Sequence, residues 1–368
     1  MPTYATALVL CLLSVGFEAT AQAVLRGQVN DGVTGEGLAY ATVYFDGTSV
    51  GDVTDETGAF AMALPEGFEL PRELTASYVG YGSLSVEVAS AERPIRFELA
   101  PAAEALRGVE VFGEDRRSEN IGEYRRLLIG RGPRARFVEL RGEDRLRFER
   151  ERAGGADGVD VRFRATDTGP LDISLPHLGY ALTFYLREFV AEYDAERYRY
   201  LAGTLFVDEA PERGLRRRRI LRNRERAYYG SELHFLRALY ASAARPGALG
   251  SEGFAVEEVE RDSSGERAVV RRLKPDADLS LDSTGRLDLR RLVGKEFRVR
   301  YYGDSRGRPL GPLIRKRTVP VQSHLTVLGP GRIRADGTSA RTDLHFVGDI
   351  GQRAIDTALP ADYYSSRE

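Results

Sequence analysis

Between Gly27 and Leu64 the chain alternates short apolar runs with turns rich in Gly and Asp, a pattern that suits strands and works against helices. Ala41, Val43 and Phe45 fall on one side of a run and Tyr40, Thr42 and Tyr44 on the other, the period of two of a half-buried strand. Asp46-Gly47 closes that run, and Asp55-Glu56-Thr57-Gly58 supplies a turn whose glycine accepts positive φ. Phe60, Met62 and Leu64 then alternate with Ala59, Ala61 and Ala63, while Asn30-Asp31-Gly32 and Thr34-Gly35 add turns upstream. Several short strands punctuated in this way predict a β-sandwich rather than an α/β fold.

The same residues follow a longer pattern, G-x-V-x-D, TGE-x-L-x-YATV, GT, G-x-x-TDE-x-G-x-F. Here it is carried by Gly27, Val29, Asp31, Thr34 to Glu36, Leu38, Tyr40 to Val43, Gly47-Thr48, Gly51, Thr54 to Glu56, Gly58 and Phe60. Ser77-Tyr78-Val79-Gly80-Tyr81 continues it. On these residues the segment from 24 to 100 resembles the carboxypeptidase-regulatory-like domain of Bacteroidetes-type cell-envelope proteins. That family implies a transthyretin/immunoglobulin-like β-sandwich, of the kind that also precedes outer-membrane transporters of that group.

Residues 1–23 read as an export signal: Ala5 to Phe17 is nearly all apolar, and Ala21-Gln22-Ala23 is a small-x-small cleavage site. No Lys or Arg precedes the apolar run, and the run is shorter than the ~20 residues a membrane helix needs. The expected product is an exported chain, periplasmic or outer-membrane-associated, with no transmembrane span in its mature part. Cys11, the one cysteine, lies inside the signal, so the mature chain offers neither disulfides nor thiolate metal ligands. A formal net charge of −2 argues against a nucleic-acid partner. Basic residues are nearly all Arg, with Lys only at Lys274, Lys295 and Lys316, which reads as compositional bias rather than as a surface for anions.

Residues 101–117 read as a linker, with Leu106 to Val111 a strand-like tail, and 118–368 as a larger β-rich domain with one or two helices. Ser118 to Ile129 predicts a helix capped by Ser118, with Ile121, Tyr124 and Leu128 on one face and Gly130 as the stop. A second helix starts at the cap Ser231 and carries the stripe Leu233, Leu236, Leu239 and Tyr240. Strands are predicted at Leu146/Phe148, Val161/Phe163/Ala165, Leu171/Ile173/Leu175, Leu182/Phe184/Leu186 and Phe297/Val299/Tyr301. Three blocks are similar to motifs of envelope proteins that carry no assigned activity: Pro176 to Tyr180 with Phe184 to Phe189, Tyr229 to Leu239, and Gly351, Arg353 and Leu359 to Tyr363. They extend the resemblance in architecture and bring no mechanism.

Each chemical motif has a plainer explanation. The histidines His177, His234, His324 and His345 begin no H-x-x-E or H-E-x-x-H pattern, so no zinc peptidase, metal site or cofactor is expected. Gly47-Thr48-Ser49-Val50-Gly51 fits G-x-S-x-G but joins two predicted strands, which makes it a hairpin loop and not a nucleophile elbow. Asp276, Asp278 and Asp282 before Gly285 miss calcium-loop spacing and read as an acidic turn. His234, beside an apolar stripe, reads as a hydrogen-bonded boundary histidine and not as a base. The run Arg216, Arg217, Arg218 and Arg219, with Arg213, Arg222, Arg224 and Arg226 nearby, is weighed as an anion-binding patch against a solvated strand or loop edge, the plainer reading being preferred. Tyr40 and Tyr44 are the candidate glycan contacts.

The expected protein is therefore mostly β and non-enzymatic: an envelope interaction or structural protein whose sandwich docks a protein or a glycan. A carbohydrate-binding module and a hydrolase with a site assembled across the second domain stand as alternatives. Ligand, partner and oligomeric state are open at this level.

Overall fold

The computed structural model describes residues 23–102, 114–130, 132–153, 159–193, 197–262, 265–339 and 343–365. The signal expected at 1–23, except Ala23, and the tail Leu106 to Val111 lie outside these residues. Strands β1 (Val24–Asp31), β2 (Thr42–Phe45), β3 (Gly51–Val53), β4 (Ala59–Ala63), β5 (Arg72–Ser77), β6 (Leu84–Val88) and β7 (Ile95–Leu99) make the expected sandwich. Its sheets run β4-β1-β7 and β3-β2-β5-β6, antiparallel except for β1 beside β7. Val29, Val43, Phe45, Leu74 and Phe97 meet between the sheets with no exposed surface. The motif residues have evident tasks. A Cβ on Gly27 would sit 2.2 Å from the Ile95 carbonyl, so the β1–β7 approach requires glycine. Buried Thr54 donates to the Leu38 carbonyl at 2.6 Å and accepts from Ala41 N at 2.8 Å, which pins the loop leading into β2. Asp55 accepts from the backbone of Thr57 and Ala59 and shapes the turn that Gly58 completes at φ +81°.

A second core follows. Helix α1 (Glu114–Ile129) packs on a sheet of β8 (Glu139–Arg141), β9 (Leu146–Ala153), β10 (Val159–Asp167), β11 (Leu171–Leu175), β12 (Tyr180–Glu192) and β13 (Arg197–Asp208). The order is β8-β11-β12-β10-β9, with β13 along the other edge of β12. Tyr124 and Leu128, one turn apart, bury against Phe163 and Phe189, as the periodicity predicts. Ser118 does not cap this helix; α1 begins four residues earlier, leaving Ser118 inside its first turns. Gly130 ends it at φ +91°.

The third core joins helix α3 (Glu232–Ala244) to strands β14 (Phe254–Arg261), β15 (Arg267–Arg272), β16 (Leu287–Asp288), β17 (Glu296–Tyr301), β18 (Val321–Val327), β19 (Arg332–Ile333) and β20 (Leu344–Gly348), while helix α2 (Leu215–Tyr228) bridges to it, with Ala227 in the second core and Tyr228 in the third. The main sheet runs β15-β14-β17-β18-β20, with β16 and β19 as a separate ribbon. α3 lays Phe235 and Leu239 on Phe297, Leu325 and Val327, and Ser231 caps it by accepting from His234 N at 3.2 Å. The region expected as one larger domain thus holds two hydrophobic cores, and three helices of three or more turns are among the described residues.

The sandwich is not a free module. Tyr44 stacks on Tyr185 of β12 at 5.2 Å and 9°, over Gly203, where any Cβ would strike the Tyr44 hydroxyl. The loop after β2 pairs with the edge of β13: Gly47 N donates to Thr204 O at 2.8 Å and Phe206 N to Thr48 O at 2.9 Å. From the C-terminal block, Ala361 N donates to Gly47 O at 2.8 Å while Asp362 accepts from Ser49 N at 2.8 Å. Arg237 of α3 donates to Ala361 O at 2.7 Å and Tyr228 touches the Tyr363 ring. Arg72 of β5 forms an ion pair with Asp336, both side chains largely buried. Residues 359–363 act as a staple through all three cores.

Candidate anion-binding cleft

Helix α2 runs through the arginine-rich segment, where a strand or loop edge was expected. Its inner face holds Ile220, Arg224, Ala227 and Tyr228, spaced i, i+4, i+7 and i+8. One of these four core positions is an arginine, so the helical stripe is hidden when only apolar residues are counted. Arg224 is satisfied by the motif segment Leu178-Gly179-Tyr180. Its guanidinium donates to Leu178 O at 2.7 Å and Gly179 O at 3.1 Å, and to both Asp208 oxygens at 2.8 and 2.7 Å. It lies 3.8 Å from the centroid of the Tyr180 ring. This pairing holds the Asp208 carboxyl below its usual range. Gly179, at φ +63°, lets Ile220 close against the turn. The inner face therefore fixes which way the rest of α2 looks.

The outer face carries Arg219, Arg222, Asn223 and Arg226, at i, i+3, i+4 and i+7. Opposite stands the turn after β17. Asp304 accepts from Arg306 N at 2.7 Å and Arg308 N at 2.9 Å, and Gly307, at φ +85°, packs on Tyr229. The two walls enclose a cleft of about 450 Å³ lined by Arg219, Arg222, Asn223, Glu225, Arg226, Arg306 and Arg308, a volume in the range of small-molecule sites. Arg308 pairs with Glu225 at 3.0 Å, yet its Nε is buried without a hydrogen-bond partner. Among the described residues Arg219, Arg222, Arg226 and Arg306 make no ion pair. The unbalanced charge is felt nearby: burial, with Arg226 close by, holds the Arg134 guanidinium below its usual range. Asn223 donates one of its two amide hydrogens to the His177 carbonyl at 2.8 Å, an orientation that leaves its oxygen as an acceptor. Guanidinium groups match phosphate, sulfate and carboxylate oxygens in pairs, so the cleft is chemically suited to an anion.

Of the four arginines singled out in the sequence, only Arg219 lines this cleft. Arg216 and Arg218 are exposed elsewhere on α2, and Arg217 donates to Pro211 O at 3.1 Å. Arg222 and Arg226 belonged to the wider run; helical spacing would have selected them once α2 was recognised. Arg306 and Arg308 arrive from a turn 80 residues on, and local sequence carries no signal for them. The glycan candidates require a correction. Tyr44 is buried, 1 % exposed, because the sandwich face it occupies is covered by β12 and β13; Tyr40, 67 % exposed, stands alone at φ 64°. They form no aromatic platform.

The remaining chemical candidates are occupied by structural bonds. Ser49 lies in the β2–β3 hairpin and donates to Asp362. His234, 1 % exposed, accepts from Gly230 N at its Nδ1 at 3.0 Å, and its Nε2 meets Glu252 at 3.2 Å. His177 donates from Nε2 to Asp356 O at 2.6 Å; burial, with Arg134 near, keeps its pKa below the ordinary value. Asp278 pairs with Arg271 at 2.7 Å, and Asp282 shapes its own turn through Thr284 and Arg286. Among the described residues no cluster of three His, Cys, Asp or Glu gathers to hold a metal, and no helix is long and apolar enough to cross a membrane.

Residues 25–111 match the family profile of the CarboxypepD_reg-like domain, which covers the whole sandwich. The chain therefore carries a carboxypeptidase-regulatory-like domain at this position, as its residue pattern suggested. No curated protein matches the chain.

Proposed function

We propose that the protein is an exported, non-enzymatic binding protein of the cell envelope, in which the arginine cleft of α2 recognises an anionic ligand. The observation that carries this reading is the set of four arginines that make no ion pair among the described residues and line one concavity from two elements. Surface charges normally pair or disperse. Holding several guanidinium groups together costs repulsion, which a bound anion would relieve. The sandwich serves as a clamp on the other two cores and leaves the ligand to the cleft. Export rests on the apolar leader and its small-residue cleavage pattern.

Calorimetric titration of the purified mature chain with pyrophosphate tests the binding. The expected result is saturable binding that weakens steeply with salt, as the Debye length contracts from ~10 Å at 0.1 M to ~3 Å at 1 M, and that vanishes in the double variant Arg222→Glu/Arg226→Glu. Absence of binding, or equal binding by that variant, overturns the reading. Fractionation of a tagged chain tests the location, and retention of the chain in the cytoplasm removes the envelope part.

A further inference from the structure

We infer that the ligand of this cleft is a phosphorylated saccharide or polyol bearing at least two phosphate groups, an inference that rests on the anion-binding reading above. The cleft has cationic groups on both walls: Arg219, Arg222 and Arg226 on α2, Arg306 and Arg308 on the facing turn. One small anion could not satisfy both sides of a space of about 450 Å³, whereas phosphates at two ends of a small scaffold could. The lining also says what lies between the charges. It contains Arg, Asn and Glu and no aromatic or aliphatic side chain. A nucleobase would find no aromatic side chain to stack on, and an acyl chain would find only the stems of the arginines, with no aliphatic side chain beside them. A hydroxylated scaffold fits, because the Asn223 oxygen is an acceptor for a hydroxyl donor and the guanidinium N–H groups are donors to hydroxyl oxygens. Glu225 also sets a negative charge on one wall, next to Arg308. A ligand with anionic ends and a neutral, hydrogen-bonding middle suits that arrangement better than a uniformly charged one. The walls are preorganised by the buried Arg224 anchor and the Asp304 turn, so little ordering is left for the ligand to impose.

The soluble probes are fructose bisphosphate, pyrophosphate and fructose, titrated against the mature chain; the lipid-borne probe is phosphatidylcholine vesicles doped with phosphatidylinositol phosphate. Fructose bisphosphate is expected to bind about tenfold more tightly than pyrophosphate, and fructose not at all, the increment being that of one or two net hydrogen bonds. Asn223→Ala should shrink that preference several-fold, weakening fructose bisphosphate more than pyrophosphate, a pattern that general destabilisation would not give. Arg222→Glu/Arg226→Glu should abolish both, and Arg218→Glu, on the same helix but outside the cleft, neither; melting curves establish that each variant is folded. Vesicle binding in addition, or in place of the soluble sugar, assigns the saccharide to a lipid headgroup and supports the inference. Equal affinity for fructose bisphosphate and pyrophosphate, with no vesicle binding, overturns the saccharide inference and leaves anion binding standing. No binding of any probe overturns both.

Discussion

Arg224 and Arg226 stand two residues apart on α2 and carry the same charge into opposite circumstances. Arg224 is 4 % exposed, stacked on Tyr180 and bonded to two carbonyls and a bidentate carboxylate. Arg226 faces the cleft without an ion pair among the described residues. The inner face uses arginine as a core residue whose guanidinium makes four hydrogen bonds within the protein; the outer face concentrates the same group and supplies few bonds. Residue type is thus no guide to role here. What separates structural charge from binding charge is whether the fold itself provides the counter-ion.

The largest test of that contrast is a pair of truncations. Arg224→Ala should cost about 2 kcal/mol of folding stability, on the scale of lost hydrogen bonds to a charged group, because the guanidinium is buried while its partner Asp208 is half exposed and stays solvated. Arg226→Ala should stay within about 0.5 kcal/mol of the parent, or gain from relieved repulsion. Urea unfolding of the two variants measures both. Comparable losses would erase the distinction between the two faces and weaken the case that Arg226 is held for a ligand.

The same contrast explains what was legible in advance. The sandwich was readable because its signals are local: alternation, Asp turns, Gly58 and the pinning Thr54 all lie within some forty residues. α1 and α3 were readable from Tyr124/Leu128 and from the Ser231 cap with its stripe. α2 was not, because an apolar count cannot register a core position filled by Arg224, whose partners Leu178, Gly179 and Asp208 make burial tolerable. The cleft was only half legible, since its second wall comes from residues 306 and 308. Tyr44 was misjudged for a related reason. Alternation gives the face of a strand but not what covers it, and here both faces of β2 are covered, one by the sandwich core and one by Tyr185. The blocks near 178, 237 and 361, noticed for their resemblance, meet in the structure as anchor, brace and staple, and their task is to hold the cores together.

Asp167 is the exception on the structural side, an acid beside the sandwich seam that makes no ion pair among the described residues. Burial pushes its pKa up to about 7, against the pull of the Leu186 N–H at 2.8 Å and of Arg145. Between the unfolded value of about 3.9 and the folded one, the native chain holds a proton that the unfolded chain has released. Stability should therefore fall as pH rises from about 4 towards 7 and level off above it. Asp356, raised to about 6 by burial although Arg134 and Arg353 oppose it, adds to the lower part of the same slope. Asp167→Asn keeps an oxygen for Leu186 N and removes the buried charge, so it should melt higher than the parent at pH 8 and nearly level with it at pH 4. A variant no more stable than the parent at pH 8 would mean that Arg145 already balances the charge, and Asp167 would join the paired set.

The smallest effect belongs to Ser49, where a pattern shared with hydrolases meets a hydrogen bond in the seam. Its hydroxyl and its backbone N–H both reach Asp362, the N–H at 2.8 Å, so the carboxylate closes a small ring on the hairpin. Ser49→Ala removes one of these two bonds on an exposed loop and should cost about 1 kcal/mol or less. Asp362→Ala removes both and should cost roughly twice as much, since the neighbouring Ala361–Gly47 bond survives only while the staple stays seated. Neither change touches the cleft, so pyrophosphate binding should persist in both. A loss of binding on Asp362→Ala would show that the staple also governs the outer face of α2, and the division between structural and binding charge would then have to be drawn through the whole C-terminal block instead of along one helix.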